Sequence, residues 1–258
     1  VTGIALVMPA AVLTAFGIDR HRGDEFEEAA VRARRVALAG PGAFRLSEGL
    51  ATFRSYVARP GMGLALAYLL TFRLGEAQAL KLVLPFLMDP RERGGLGLSN
   101  AQVGFAYGTV GVACLTLGGL AGGWLISRWG LRRCLWPMTA GVHLPNLAFV
   151  ALAFAQPKSL ALTAGAIALE QFGYGFGFTA YLMYLVLLAE GPTRTSHYAL
   201  GTGLMAMGMM LPGLGSGWIQ ERLGYLGFFG WVCLSCLPSV LLTPFLRIDP
   251  EFGRREAA

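Results

Sequence analysis

Six long apolar segments, separated by short polar stretches, make up most of the chain. They cover residues 61–88, 101–127, 134–155, 160–189, 199–220 and 225–246. Each reaches the roughly 20 residues that a helix needs to cross a bilayer. Because a spanning segment must satisfy its own backbone hydrogen bonds in lipid, each segment predicts a membrane-spanning helix. We therefore expect an all-α integral membrane protein with a six-helix transmembrane bundle at residues 60–247.

A seventh, shorter apolar stretch opens the chain, without an initiating methionine and without the features of a signal peptide. We interpret residues 1–17 as a truncated transmembrane helix. On this interpretation the chain is the distal piece of a larger protein, and a preceding bundle of helices is missing.

The one long polar segment, residues 18–59, begins with a run of mixed acidic and basic residues. After a Gly-Pro-Gly break, apolar residues recur at helical spacing, at Leu46, Leu50, Phe53 and Val57. This pattern is typical of an amphipathic helix that lies along a membrane surface. A solvated linker with incidental helicity is the alternative.

The composition agrees with a membrane protein, since 55% of the residues are hydrophobic and only 14% are charged. Of the four cysteines, Cys233 and Cys236 form a C-x-x-C pattern inside an apolar segment, with no second pair nearby. Such cysteines are typical of small buried apolar residues. We expect no metal site and no cofactor.

The positive charges are distributed unevenly between the two ends of the predicted spans. Fifteen lysines and arginines fall in residues 18–59, 128–133, 194 and 247–255, whereas the opposite side has only Arg91, Arg93, Lys158 and Arg222. Positive residues in short loops are retained on the cytoplasmic side. The long polar segment and the tail at 248–258 are therefore expected in the cytoplasm. This topology accounts for the net charge of +6, so we expect the lipid bilayer, and no nucleic acid, as a partner.

Four charged residues lie inside the apolar segments: Arg73, Glu76, Lys81 and Glu170. Each costs roughly 2.5–3.5 kcal/mol at mid-bilayer depth, and such residues mark transport pathways by default. Arg73 and Glu76 are three residues apart, so they share a helix face and can partly neutralise each other. Lys81 is expected nearer the outer surface, where its side chain could reach the interface. Its role stays open.

Glu170 is followed by Gln171, with Tyr174 and Tyr181 near the same helical stripe. An intramembrane carboxylate among aromatic rings is a candidate proton carrier. The tyrosines could hydrogen-bond a sugar or an amide and stack on its apolar face. The alternatives are that Glu170 only forms a structural ion pair with Arg73 or Lys81, and that both tyrosines only pack between helices.

Three glycine-rich motifs stand in the apolar segments, at 118–123, 173–177 and 213–217. Small residues at such spacings let helices approach closely or let them bend. The sequence does not separate these two roles. Pro212, beside the third motif, predicts a kink or a break.

The order of these elements resembles the C-terminal half of the major facilitator superfamily, in which six spans follow a long cytoplasmic loop with a lateral helix. The loop at 123–133 is similar to the superfamily's signature between paired helices, with Gly123, Arg128, Gly130, Arg132 and Arg133 in place. Ser127 stands where the usual acidic residue would be. This difference weakens the expectation of a charge-relay latch in the loop.

A closer resemblance is to AmpG-type muropeptide permeases. It is carried by L-x-x-R-L-G-E-A at 70–77, by Glu170-Gln171 with its glycines, and by the stretch at 197–217. Those permeases are proton-coupled importers of anhydro-muropeptides, related to acetyl-CoA transporters. The family has a basic residue at the position of Arg73 and acidic residues at those of Glu76 and Glu170.

The resemblance implies a proton-coupled secondary transporter of the bacterial inner membrane, with a small anhydro-muropeptide-type glycopeptide and protons as partners. Substrate binding and proton coupling would rest on Arg73, Glu76, Glu170, Gln171, Tyr174 and Tyr181. Acetyl-CoA, a sugar or a drug is the alternative cargo, and a non-transporting membrane sensor is the alternative function. We do not expect an enzyme, which should show a constellation of histidine, serine or cysteine at a membrane face, because His21 and His197 lie in or beside predicted loops and His143 stands alone in the sequence.

Overall fold

The computed structural model describes residues 53–189 and 194–254. All regular structure in these ranges is helical, which confirms the predicted all-α membrane fold. The predicted truncated helix at 1–17, and nearly all of the polar segment with its amphipathic helix, lie outside the described residues. The helices are α1 (Met62–Phe72), α2 (Leu74–Met88), α3 (Asn100–Trp129), α4 (Leu131–His143), α5 (Asn146–Ala155), α6 (Leu160–Leu188), α7 (Arg194–Gly213) and α8 (Ser216–Leu242).

Four helical stretches of the described ranges are long and apolar enough to cross a membrane: Asn100–Trp129, Leu131–Ala155, Leu160–Leu188 and Ser216–Phe245. The first three coincide with predicted spans. The predicted span at 61–88 is divided into α1 and α2, and the one at 199–220 is divided after Gly213. The count of six spans therefore stays a prediction.

Helix α8 is interrupted at Gly224, whose φ of 66° and ψ of 177° lie outside the helical region. Glycine adopts this positive φ without the steric penalty that a Cβ atom brings. The interruption falls in the polar stretch between the predicted spans at 199–220 and 225–246. Near the other predicted break, α7 continues through Pro212 and ends one residue later.

Helix α6 lies at the centre of the fold and packs mainly against α3 and α4. Its glycine motif makes this packing possible. A Cβ atom on Gly175 would collide with the carbonyl oxygen of Leu115 in α3, and one on Gly177 would collide with that of Met138 in α4. Such contacts between backbones are those of tightly packed membrane helices. Packing is thus the role that the structure gives to this motif.

Two clusters of buried apolar residues fill the interior. The first contains Tyr68 and Phe72 at the end of α1 and Tyr181 of α6. The second contains Phe86 of α2 and Phe229 of α8. Along α1 and α2, the polar residues Arg73, Glu76 and Gln78 lie between the two clusters, so the candidate site lies at the junction of two apolar cores.

Candidate functional site

Arg73 is the single residue between α1 and α2. Its backbone is close to helical, with φ −88° and ψ −2°, and its amide donates to the carbonyl oxygen of Thr71. Its carbonyl oxygen accepts from the amide of Ala77 at 2.8 Å. The side chain is buried, with 3% of the residue exposed. The local break thus holds a guanidinium group between the two cores.

The ion pair that the three-residue spacing predicts is present. Arg73 Nη2 lies 2.9 Å from Glu76 Oε1, and the two side chains are 4% and 18% exposed. Pairing lowers the free-energy cost of holding each charge away from water. The pair is therefore the charged centre of the described bundle.

Helices α6 and α7 complete the surroundings of Arg73. Its Nη1 donates to the hydroxyl of Tyr174 at 3.3 Å, and its Nη2 lies 3.0 Å from the sulfur of Met209. The guanidinium carbon is 4.8 Å from the ring centroid of Phe178 and 5.7 Å from that of Tyr174. Aromatic faces attract such a cation. Residues of three helices, α2, α6 and α7, therefore meet the same positive charge.

The pairing is incomplete. Arg73 Nε and Glu76 Oε2 are buried, and neither has a hydrogen-bond partner among the described residues. Most buried polar atoms in proteins are hydrogen-bonded, so an unpaired donor and an unpaired acceptor in one ion pair require an explanation. A polar ligand or a water molecule at this position would satisfy them.

Glu170 lies on α6, one turn before Tyr174, and is partly buried. Its Oε2 accepts a hydrogen bond from Gln171 Nε2 at 2.7 Å. In residues 53–189 and 194–254 the ion pairs are Arg73–Glu76 and Arg254–Glu251. A structural ion pair of Glu170 with Arg73 or Lys81, the alternative raised from sequence, is therefore not found in that part of the chain. Glu170 lies near enough to Glu76 for their charges to interact.

Tyr181 has the contacts of a packing residue. Its side chain is fully buried, its hydroxyl donates to the carbonyl oxygen of Leu69 at 3.0 Å, and its ring stacks on Phe72 with centroids 4.3 Å apart. Tyr174 differs, because it is only half-buried and faces Arg73. The structure brings Tyr174 to the ion pair and leaves Tyr181 in the core beside it.

Lys81 is exposed on α2. Its aliphatic stem runs along α7, where a Cβ atom on Gly213 would lie 3.1 Å from Lys81 Cε. This contact explains the glycine at that position. It assigns no chemical role to the amino group.

Three residues near the charged centre were not predicted as site residues: Met209, Phe178 and Gln78. Gln78 is 3% exposed; its Nε2 donates to Ser235 Oγ at 3.3 Å and its Oε1 accepts from Trp231 Nε1 at 2.7 Å. Gln78 could have been predicted as a site residue, because a glutamine inside a predicted span is an unusual polar residue. Methionine and phenylalanine are ordinary in such spans, so their type carried no signal.

The predicted loop at 123–133 is mostly helical in the structure: it comprises the end of α3, the start of α4 and, between them, Gly130, which has a φ of 78°. Ser127 Oγ donates to the carbonyl oxygen of Trp124 at 2.8 Å, and the guanidinium of Arg128 lies 5.8 Å from a ring centroid of Trp124. Arg132 and Arg133 are exposed. Among the described residues, the ion pairs do not include any residue of this segment.

The two tyrosines are expected to respond differently to loss of the hydroxyl group. Tyr174→Phe removes the hydrogen bond to Arg73 and should impair transport, whereas Tyr181→Phe removes a bond to a helix carbonyl. The second variant should lose about 1 kcal/mol of stability and keep transport. Uptake and thermal unfolding of both variants, in the protein that carries this chain, check the expectation. Equal loss of uptake in the two variants would contradict it.

The chain is similar in sequence to bacterial proteins that are named permeases or transporters. The chain is 26% identical over 205 residues to the anhydromuropeptide permease of Escherichia coli strain K12, a match that covers 80% of the chain and 40% of that protein. Two relatives from Rickettsia felis are named putative transporters: AmpG 1 is 25% identical over 69% of the chain, and AmpG 4 is 24% identical over 76%. The resemblance to AmpG-type permeases is confirmed.

This AmpG-like chain spans about two fifths of the length of the curated relatives that it matches. No family model matches it. The three relatives are named as permeases or transporters, which agrees with a multi-pass membrane protein.

Proposed function

We propose that the chain is the C-terminal half of a proton-coupled secondary transporter that imports an anhydro-muropeptide-type glycopeptide across the bacterial inner membrane. The observation that carries the proposal is the buried Arg73–Glu76 pair with one unpaired polar atom on each partner. A permanent structural pair would be expected to satisfy all its polar atoms. The Escherichia coli relative is named an anhydromuropeptide permease, which supports the cargo class.

Arg73 would bind an anionic group of the substrate, or balance the charge of Glu76 when no substrate is bound. A guanidinium group suits the first role, because it presents several donors in a plane and matches a carboxylate well. Nη1 and Nη2 already have contacts, whereas Nε has none in the described residues. Substrate binding would therefore be expected to rearrange the contacts to Tyr174 and Glu76.

Glu170 would take up and release the coupling proton. It has a neutral neighbour, Gln171, as its hydrogen-bond partner and stands near a second carboxylate, Glu76. A second carboxylate nearby, away from bulk water, favours the binding of one proton over two negative charges. Gln171 and Tyr174 would contact the substrate, and Tyr181 would support them from the core.

Transport would proceed by alternating access, with the substrate near the midplane between residues 60–247 and a preceding bundle outside this chain. The tail at 248–258 and the loop at 128–133 would lie in the cytoplasm, as the distribution of arginines predicts. In this arrangement the helix break at Arg73 faces the pathway.

The decisive experiment is Glu170→Gln in the full-length protein. We expect loss of proton-driven uptake of labelled anhydro-muropeptide into vesicles, with exchange of labelled for unlabelled substrate retained, because only the proton step needs the carboxylate. Glu92→Gln, a matched change on an exposed loop, should leave both unchanged. Undiminished proton-driven uptake by the Glu170 variant would overturn the proposed coupling role.

Competition with acetyl-CoA, simple sugars and cationic drugs in the same assay tests the cargo. Displacement of the muropeptide label by one of these compounds, at a lower concentration than unlabelled muropeptide needs, would replace the proposed substrate class. Binding without exchange in proteoliposomes would identify a sensor.

A further inference from the structure

Two adjoining hollows lie at the end of the bundle that carries the C-terminal tail. One has a volume of about 480 Å³ and is lined by Arg132 and Arg247 together with Asp249. The other, of about 340 Å³, is lined by Arg132, Arg133 and Arg254 with Glu251 and Trp129. Arg132 belongs to both. Four arginines and two carboxylates line the pair, which leaves an excess of positive charge.

The arginines converge because the tail is fixed against the loop between α3 and α4. The amide of Leu131 donates to the carbonyl oxygen of Phe252 at 2.9 Å. A Cβ atom on Gly130 would lie 3.0 Å from the carbonyl oxygen of Pro250. Ile248 and Phe252 pack against the first core cluster. Backbone and core contacts thus hold the arginines of the tail opposite those of α4.

The two arginines of α4 stand where their charge is unfavourable. Arg132 and Arg133 occupy the first turn of this helix, which has no acidic residue. The N-terminus of a helix is its positive end, so cations there lower stability by a few tenths of a kcal/mol or more. Among the described residues, no hydrogen bond or ion pair offsets the charge of either guanidinium group. A bound anion would do so.

The position of the two hollows indicates which kind of anion they bind. Candidate spans end at Trp129 and at Phe245, beside the hollows. Trp129 is 47% exposed, and tryptophan is typical of the boundary between lipid and water. The hollows therefore lie at the depth of lipid headgroups, where phosphate groups are abundant and arginine can bind them through two parallel hydrogen bonds.

We propose that these hollows form a binding site for the headgroup phosphate of an anionic phospholipid. The retention of positive residues on one side of a membrane explains the number of arginines. It does not explain their convergence on two hollows built by a fixed tail. The site is separate from the Arg73–Glu76 centre and does not depend on the proposed transport.

The test measures lipid binding by the purified, delipidated full-length protein with native mass spectrometry. The probes are phosphatidylglycerol, phosphatidylethanolamine and the soluble compound glycerol 3-phosphate. Arg132→Gln/Arg133→Gln should weaken phosphatidylglycerol binding about tenfold or more, since each cation near a headgroup contributes about 1 kcal/mol. Arg93→Gln/Lys158→Gln, which removes two exposed charges at the opposite end, should leave the affinity unchanged.

A second variant, Arg254→Gln in the tail, should also weaken binding and does not alter α4, which keeps the proposal testable if the double variant fails to fold. Equal loss with the control variant, or equal binding of both lipids, would overturn the proposal. Binding of glycerol 3-phosphate as tight as that of phosphatidylglycerol would assign the hollows to a soluble phosphate compound instead. Because transport is not measured, failure here leaves the proposed function untouched.

Discussion

Arg73→Met is expected to destabilise the protein by about 3–5 kcal/mol, the largest effect that we predict for a single substitution. The change leaves Glu76 buried without its cation, and breaking one partner of a buried ion pair has this magnitude. It also removes the contacts of Arg73 with Tyr174 and Phe178. The loss of stability is measured by thermal unfolding of the protein in detergent, with size-exclusion chromatography as the readout.

The double variant Arg73→Gln/Glu76→Gln separates the structural from the functional role of the pair. Removing both charges together avoids an uncompensated ion, so most of the stability should return. Uptake should not return if the pair binds substrate or takes part in coupling. If the double variant transported at the wild-type rate, the pair would have a structural role only. Arg222→Gln, on an exposed residue, controls for a simple loss of charge.

Gly175→Leu is expected to abolish the native packing of α6 against α3. The added Cβ atom would collide with the carbonyl oxygen of Leu115 and approach the amide of Gly119 at 2.9 Å. Both are backbone atoms, so neither can rotate away. Forcing extra atoms into a packed interior costs about 3 kcal/mol or more when the backbone must move.

Gly165→Leu is the matched control, because it changes the same residue types in the same helix. Gly165 is exposed, and a Cβ atom there would meet nothing within 4 Å. This variant should accumulate in the membrane and unfold at the wild-type temperature. If both variants behaved alike, the glycine motif would have a role other than the close packing of α6.

Much of the fold was predictable from the sequence because membrane helices obey a strong physical constraint. A run of about 20 apolar residues has few alternatives to a helix in lipid. Hydropathy predicted the ends of α3, of the α4–α5 pair and of α6 to within about three residues. It did not predict the break between α1 and α2 at Arg73. At that break the side chain of Arg73 contacts α6 and α7, and hydropathy does not record such tertiary contacts.

The candidate site was predictable in part. Charge inside an apolar segment identified Arg73, Glu76 and Glu170, and helical spacing predicted the first ion pair. Spacing alone did not distinguish Tyr174 from Tyr181, since both lie on the same stripe of α6. Their difference arises from neighbours on α1, namely Arg73 at its end for Tyr174 and the carbonyl of Leu69 for Tyr181.

By itself the sequence determined that this is an all-α membrane protein with buried charges and an AmpG-like pattern. These three conclusions rest on properties of short segments, namely length, hydropathy and the identity of residues within one or two helical turns. Only the tertiary structure decided that the motif at 173–177 serves packing and that the tail brings its arginines to α4. It also revealed the unpaired atoms of Arg73 and Glu76. These facts depend on distances between helices far apart in the chain, which no local pattern contains.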